Sequence, residues 1–190
     1  MGRLTHPALN VLGQQIGWFA VVLGAAHGHP FLGAGAGLVI TVLHLAGTPD
    51  RAGELRLLAL ATGLGLLVES CLQTAGLLTY ASRWPALPWL CPPWILVLWI
   101  QFATTLRHGL RWLLPRRSLA VALGAAGGPM AFRAGEALGA VRFAPERWHS
   151  LAALSLVWAI AMPILTGVAR RLDQAAGRGG LGKNELVRAM

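Results

Sequence analysis

A chain of 190 residues is long enough for one domain, and in this one hydrophobic residues make up 55% and charged residues 12%. A soluble domain of this size needs about twice that share of charge to cover its surface, so the composition excludes one and points to a bilayer, where lipid-facing positions stay apolar. The net charge of +9 is spread between apolar runs and forms no basic stripe with interleaved aromatics, which argues against nucleic acid as a partner and for basic loops beside a membrane.

A bilayer core takes about 20 apolar residues per helix, and that ruler predicts six runs. The first covers about 8–27. Arg3 ahead of it and Gly24-Ala-Ala26 at its end raise a cleaved signal peptide, but Gln14 and Gln15 interrupt the stretch as a signal core would not. After His27-Gly-His-Pro30 comes the second run, about 30–47, the weakest at roughly 18 residues, with Gly33, Gly35 and Gly37. It is expected to tilt little or to be partly re-entrant. Thr48-Pro-Asp-Arg51 separates it from the third, about 54–80, which carries Glu69, Ser70, Cys71 and Gln73. Trp84-Pro85 precedes the fourth, about 90–112, opened by Cys91; two cysteines in apolar runs read as packing residues. Pro115-Arg-Arg117 leads into the fifth, about 118–140, where Gly127-Gly-Pro129 predicts a broken helix, because proline removes an amide donor and paired glycines loosen the same turn. The sixth, about 149–171, follows Pro145-Glu-Arg147. The expected architecture is all-α and polytopic: a six-helix transmembrane domain over 1–174, then a flexible basic cytoplasmic tail over 175–190.

Lysine and arginine set the orientation. With the N-terminus inside, twelve fall in inner segments and three in outer ones, with Arg133 left inside a helix. That bias predicts N-in, C-in in a bacterial inner membrane, with Trp84, Trp89, Trp94 and Trp148 as an outer interfacial belt. Glycine or alanine recurs four apart at Gly13/Gly17, Gly124/Gly128 and Ala131/Gly135/Gly139, a spacing that lets helices approach closely and is read first as intramolecular packing.

Polar groups in hydrocarbon need a partner or a purpose. Glu69 and Arg133 come out within about one helical turn of each other in depth, roughly 5 Å. They are the candidate catalytic pair, Glu69 as acid/base and Arg133 as anion anchor, with a buried salt bridge as the competing reading. Glu136, three residues from Arg133, is its alternative partner. Trp94, Gln101, Thr105 and His108 lie seven, four and three apart, on one face of the fourth helix, and with Gln14 form a candidate substrate-binding lining against Glu69. His44 and His108 share a depth, but no helix carries two ligands at His-x3-His or Glu-x2-His spacing, so no metal is expected. No nucleophile elbow, phosphate loop or dinucleotide fingerprint occurs, Ser70 points about 100° away from Glu69, and nothing specifies a cofactor.

Three stretches carry a family resemblance: Gln15-Ile-Gly-Trp-Phe-Ala-Val-Val-Leu-Gly-Ala25, Trp94-Ile-Leu-Val-Leu-Trp-Ile-Gln-Phe-Ala-Thr-Thr-Leu-Arg-His108, and Gly124-Ala-Ala-Gly-Gly-Pro-Met-Ala-Phe-Arg-Ala-Gly135 continuing to Leu138-Gly-Ala-Val-Arg-Phe143. With Glu69-Ser70 they resemble the small bacterial inner-membrane proteins catalogued as domain of unknown function 2878, over nearly all of Leu9 to Arg170. The resemblance implies a membrane fold without an assigned activity, and a lean towards membrane-lipid metabolism. Two classes of function follow: a membrane-embedded site handling a lipid or amphipathic small molecule, as enzyme or small transporter, or an accessory or scaffolding subunit. The expected partners are membrane lipids, together with a membrane-protein partner or a second copy of the chain.

Overall fold

A computed structural model describes the backbone of residues 7–188 and the side chains of residues 7–177. Six helices carry the fold: α1 (Pro7–Ala26), α2 (Pro30–Gly47), α3 (Arg51–Thr74), α4 (Pro93–Leu106), α5 (Arg117–Ala137) and α6 (Arg147–Arg188). Two three-residue strands, β1 (Leu78–Tyr80) after α3 and β2 (Val141–Phe143) after α5, pair antiparallel with Tyr80 opposite Val141. Helices α1, α2, α3 and α6 are long and apolar enough to cross a membrane; α4 is apolar but has only 14 residues. Phe31 and Leu32 on α2 are 74% and 76% exposed, and Leu67, Met130 and Leu156 stand open on other helices. An apolar surface this broad is a liability in water and ordinary against lipid.

Sequence breakers set the helix starts. Pro30 opens α2 and Pro93 opens α4, where a missing amide donor costs nothing. Asp50 caps α3 by accepting a hydrogen bond from the Gly53 amide at 3.0 Å. The expected third run ends early: α3 stops at Thr74 and the apolar Leu78–Tyr80 forms β1. The fourth run likewise ends as helix at Leu106, followed by turns and a short 3-10 stretch, Arg111–Leu113. The tail expected from Ala175 begins inside α6, and its side chains from residue 178 on lie outside those described.

Successive helices run in opposite directions. Early α1 (Asn10), late α2 (His44), early α3 (Glu54), the end of α4 (Arg107) and late α6 (Asp173) meet at one end, here called proximal. The β1–β2 pair joins the last residues of α3 and α5 at the opposite, distal end. The shortest helix is the most central: α4 packs on α1, α2, α3 and α6. Of the four tryptophans expected at one boundary, Trp84, Trp89 and Trp148 are exposed, whereas Trp94 is buried and donates to the Ala81 carbonyl at 3.0 Å.

Helix α5 is not broken at Gly127-Gly-Pro129; it is helical from Arg117 to Ala137. Proline at 129 leaves the Ala125 carbonyl without its amide donor, and Ser155 on α6 supplies one, its Oγ donating at 2.9 Å. Gly124 and Gly128 lie directly on Trp158 of α6, so this small-residue spacing serves intramolecular packing. Ser155→Ala is therefore expected to cost about 0.6–1.7 kcal/mol. Pro129→Ala in the same background restores the loss, because residue 129 regains its own amide donor; thermal unfolding in detergent reads both. A Ser155→Ala protein that melts like the wild type would show that this hydroxyl is dispensable.

Candidate functional site

The first polar centre lies in the distal half of the bundle, beneath the β1–β2 pair. Glu69 is fully buried on α3, and its partners are two neutral donors: Trp99 Nε1 on α4 donates to Oε1 at 2.7 Å, and the Tyr80 hydroxyl on β1 donates to Oε2. Gly65, one turn before Glu69, has no side chain where the face of the Trp99 ring lies, which lets the indole reach the carboxyl. Trp158 stacks on the other side of Trp99 at 4.7 Å between ring centroids, and Phe102 meets Trp158 edge-on. Glu69, Trp99, Phe102 and Trp158 border a cavity of about 120 Å³, to which Trp18, Trp94 and Phe132 add three more aromatic rings. Its polar lining residues are Glu69 and Gln14, from α3 and α1.

The expected Glu69–Arg133 pair is not formed. Arg133 lies on the exposed face of α5 and makes no ion pair among the described residues, although its neighbours Ala131, Phe132 and Gly135 line the cavity. Matching depth along two helices leaves rotation about each axis free, and α5 turns its Phe132 inward. Nor does Glu136 pair with Arg133: it lies 3.5 Å from Arg147 and accepts from the Phe143 amide.

The expected lining on α4 is divided among three places. Trp94 does line the cavity, with Ile95, Leu98, Trp99 and Phe102. That face is centred roughly 80° around the helix from the Trp94–Gln101–Thr105–His108 stripe, at 100° per residue. Gln101 turns towards α2, donating to the Gly37 carbonyl at 2.6 Å beside Gly17. Thr105 donates to the Phe102 carbonyl of its own helix, and His108 belongs to the proximal end. Ser70 accepts from the Cys91 amide and Gln73 donates to the Pro88 and Leu90 carbonyls, so both anchor the segment ahead of α4.

The second centre closes the proximal end. Arg107, directly after α4, is almost fully buried and bonds three carboxylates: Asp50 at 2.8 Å, Glu54 at 3.2 Å and Asp173 at 2.8 Å. Arg111 shares Asp173 at 2.9 Å. The other oxygen of Glu54 lies 3.0 Å from His44 Nε2, and His108 Nε2 stands 3.7 Å from Glu54 Oε2. Asn10 on α1 donates to the Thr104 carbonyl, accepts from the Gly109 amide, and places its Nδ2 3.4 Å from His44 Nδ1. Metal ligands were not expected here because each residue comes from a different element: α2, α3 and the turn after α4. Donor atoms of His44, Glu54 and His108 nonetheless lie within 4.8 Å of one another.

The Gly53 amide and then the Arg107 guanidinium hold the Asp50 carboxyl below its ordinary range, outweighing burial. A depressed folded-state pKa contributes stability that is present above the unfolded value near 3.8 and is lost as pH falls through the folded one. Asp50→Asn, which keeps a capping oxygen and removes the charge, is expected to flatten the acid limb of the melting-temperature profile. An unchanged limb would place the acid sensitivity elsewhere.

The fold is thus that of a helical bundle with four helices able to cross a membrane and two buried polar centres. The chain belongs to the family described as protein of unknown function (DUF2878), whose pattern matches residues 7–164 and so includes both centres except Asp173. No curated protein and no solved structure matches it.

Proposed function

We propose that this is an integral protein of a bacterial inner membrane, N- and C-termini inside, whose cavity beside Glu69 receives the apolar part of a lipid or amphipathic small molecule. One observation carries the reading: a fully buried carboxyl with no cationic partner among the described residues borders a cavity lined by six aromatic rings, in a chain whose outer surface suits lipid. A carboxyl kept only for packing is normally paired with a cation, and an intramembrane acid without one marks a site. Glu69 acts as the acid/base or proton-carrying group, Trp94 and Gln14 line the bound molecule, and Arg133, one residue from Phe132, meets an anionic headgroup at the bundle surface. Gln101, Thr105 and His108 position helices and the proximal end. The basic residues at the starts of α3 and α5 and after α4 support the inside placement of the proximal end.

The second reading, an accessory subunit acting with a membrane-protein partner or a second copy of itself, has in its favour that both Glu69 oxygens already accept hydrogen bonds. Glu69→Gln separates the two. Under the site reading it changes the cell's lipid profile while the protein's abundance in the membrane stays at the wild-type level. If every such change tracks loss of protein, the site reading fails.

A further inference from the structure

The proximal cluster is more than an ion-pair knot. Among the described residues three carboxylates, Asp50, Glu54 and Asp173, face two guanidiniums, Arg107 and Arg111, which leaves one negative charge in excess. Beside that excess stand two imidazoles whose rings meet edge to face at 4.6 Å. His108 Nε2 is buried and has no hydrogen-bond partner among the described residues. An unpartnered buried nitrogen next to surplus negative charge is an arrangement a cation completes.

We infer that His44, Glu54 and His108 bind a divalent first-row transition-metal ion through His44 Nε2, Glu54 Oε1 and His108 Nε2. Ligand atoms about 2.0–2.1 Å from a tetrahedral metal stand about 3.4 Å from each other. His44 Nε2 stands 3.0 Å from Glu54 Oε1, close to that value, and His108 Nε2 lies 3.7 Å from the other oxygen of the same carboxylate, Oε2. The three donor atoms already fit within 4.8 Å, so the site closes on a metal by small side-chain adjustments. Two imidazoles and one carboxylate suit zinc or iron over magnesium or calcium, which prefer oxygen ligands. Three protein ligands also leave a coordination position open. Arg107 holds the Glu54 carboxylate from behind, and Asn10 lies against the second ring nitrogen of His44, the two places where outer contacts orient metal ligands. On loading, His44 carries its proton on Nδ1, and the Asn10 amide turns its oxygen to it, giving up its bonds to Thr104 and Gly109. This site is separate from the Glu69 cavity and stands whether or not that cavity binds a lipid.

The test uses the full chain purified in a maltoside detergent, freed of any affinity tag, stripped with a chelator and equilibrated with zinc. One equivalent of zinc, measured by mass spectrometry of the metal and by competition with a chelating dye, is the expected result. Glu54→Gln and His108→Ala should each weaken it by at least about 10-fold, whereas His27→Ala and His29→Ala at the distal end leave it unchanged. Should the cluster variants fail to fold, cobalt added to the wild-type protein decides: an intense visible absorption band reports ligation with nitrogen and oxygen donors at low coordination number. No saturable zinc, variants that bind like the wild type, or cobalt with only its pale aqueous spectrum would each overturn the inference.

Discussion

Arg107→Ala is expected to destabilise the protein by about 3–5 kcal/mol, read as a fall in melting temperature and in abundance in the membrane fraction. Among the described residues the guanidinium is the one buried cation between Asp50, Glu54 and Asp173, which come from the start of α3 and from α6. Deleting it leaves Glu54, with no exposed surface, facing the imidazoles and two like charges. The loss is dominated by the uncompensated carboxylates and not by a missing attraction. Two comparisons sharpen the result. Arg107→Lys keeps the charge but cannot present a planar fork to three carboxylates, so it should recover only part of the stability. Arg111→Ala removes an exposed arginine from the same Asp173 and should cost no more than about 1 kcal/mol. Equal effects at 107 and 111 would refute the view that burial sets the scale.

Gly124→Val should be nearly as damaging, for a reason of space alone. A β-carbon at 124 would stand 2.7 Å from Met162 Cγ and 2.8 Å from the Trp158 carbonyl carbon, and closer still to the Trp158 oxygen. The obstacle is largely backbone, so α5 and α6 must separate along their contact. Overpacking of this kind costs about 1–3 kcal/mol where side chains can yield, and the upper end applies here. Gly127→Ala, three residues on, meets nothing within 4 Å and should stay within about 0.5 kcal/mol of wild type. Comparable melting temperatures for the two variants would mean that α5 and α6 do not pack as described.

Much of the fold was legible because breakers punctuate it. Runs 8–27 and 30–47 match α1 and α2 closely, since Pro30 and Thr48-Pro49 mark boundaries that no tertiary contact overrides. The third run, 54–80, overshoots α3 because Leu78–Tyr80 is as apolar as a helix end and three residues carry no period that tells strand from helix, whereas the fifth, 118–140, ends only three residues past α5 and stops short of β2. The break expected in α5 failed because a single distant hydroxyl, Ser155, answers the proline.

The sites were legible by residue but not by partner. Glu69 stands out as an acid in an apolar run, yet Tyr80 and Trp99 reach it from a strand and from another helix. Arg133 was matched to it in depth and faces elsewhere. At the proximal end His44 and His108 were placed at one level, but Glu54 was counted as the first residue of an apolar run and not as the group between them. Contacts among three elements have no local spacing, and only the packed bundle brings them together.

The strand pair has a consequence for how the chain is made. Tyr80, which bonds Glu69, and Val141, which lines the cavity, are register partners, and 61 residues separate them. At 5–20 residues per second a ribosome needs roughly 3–12 s to supply the second after the first. Over that interval α4 and then α5 are made while β1 has no partner and the cavity still lacks its wall from α6. A strand of only three residues offers passing chains little edge to pair with, which is the form such a waiting segment needs in a membrane crowded with nascent proteins.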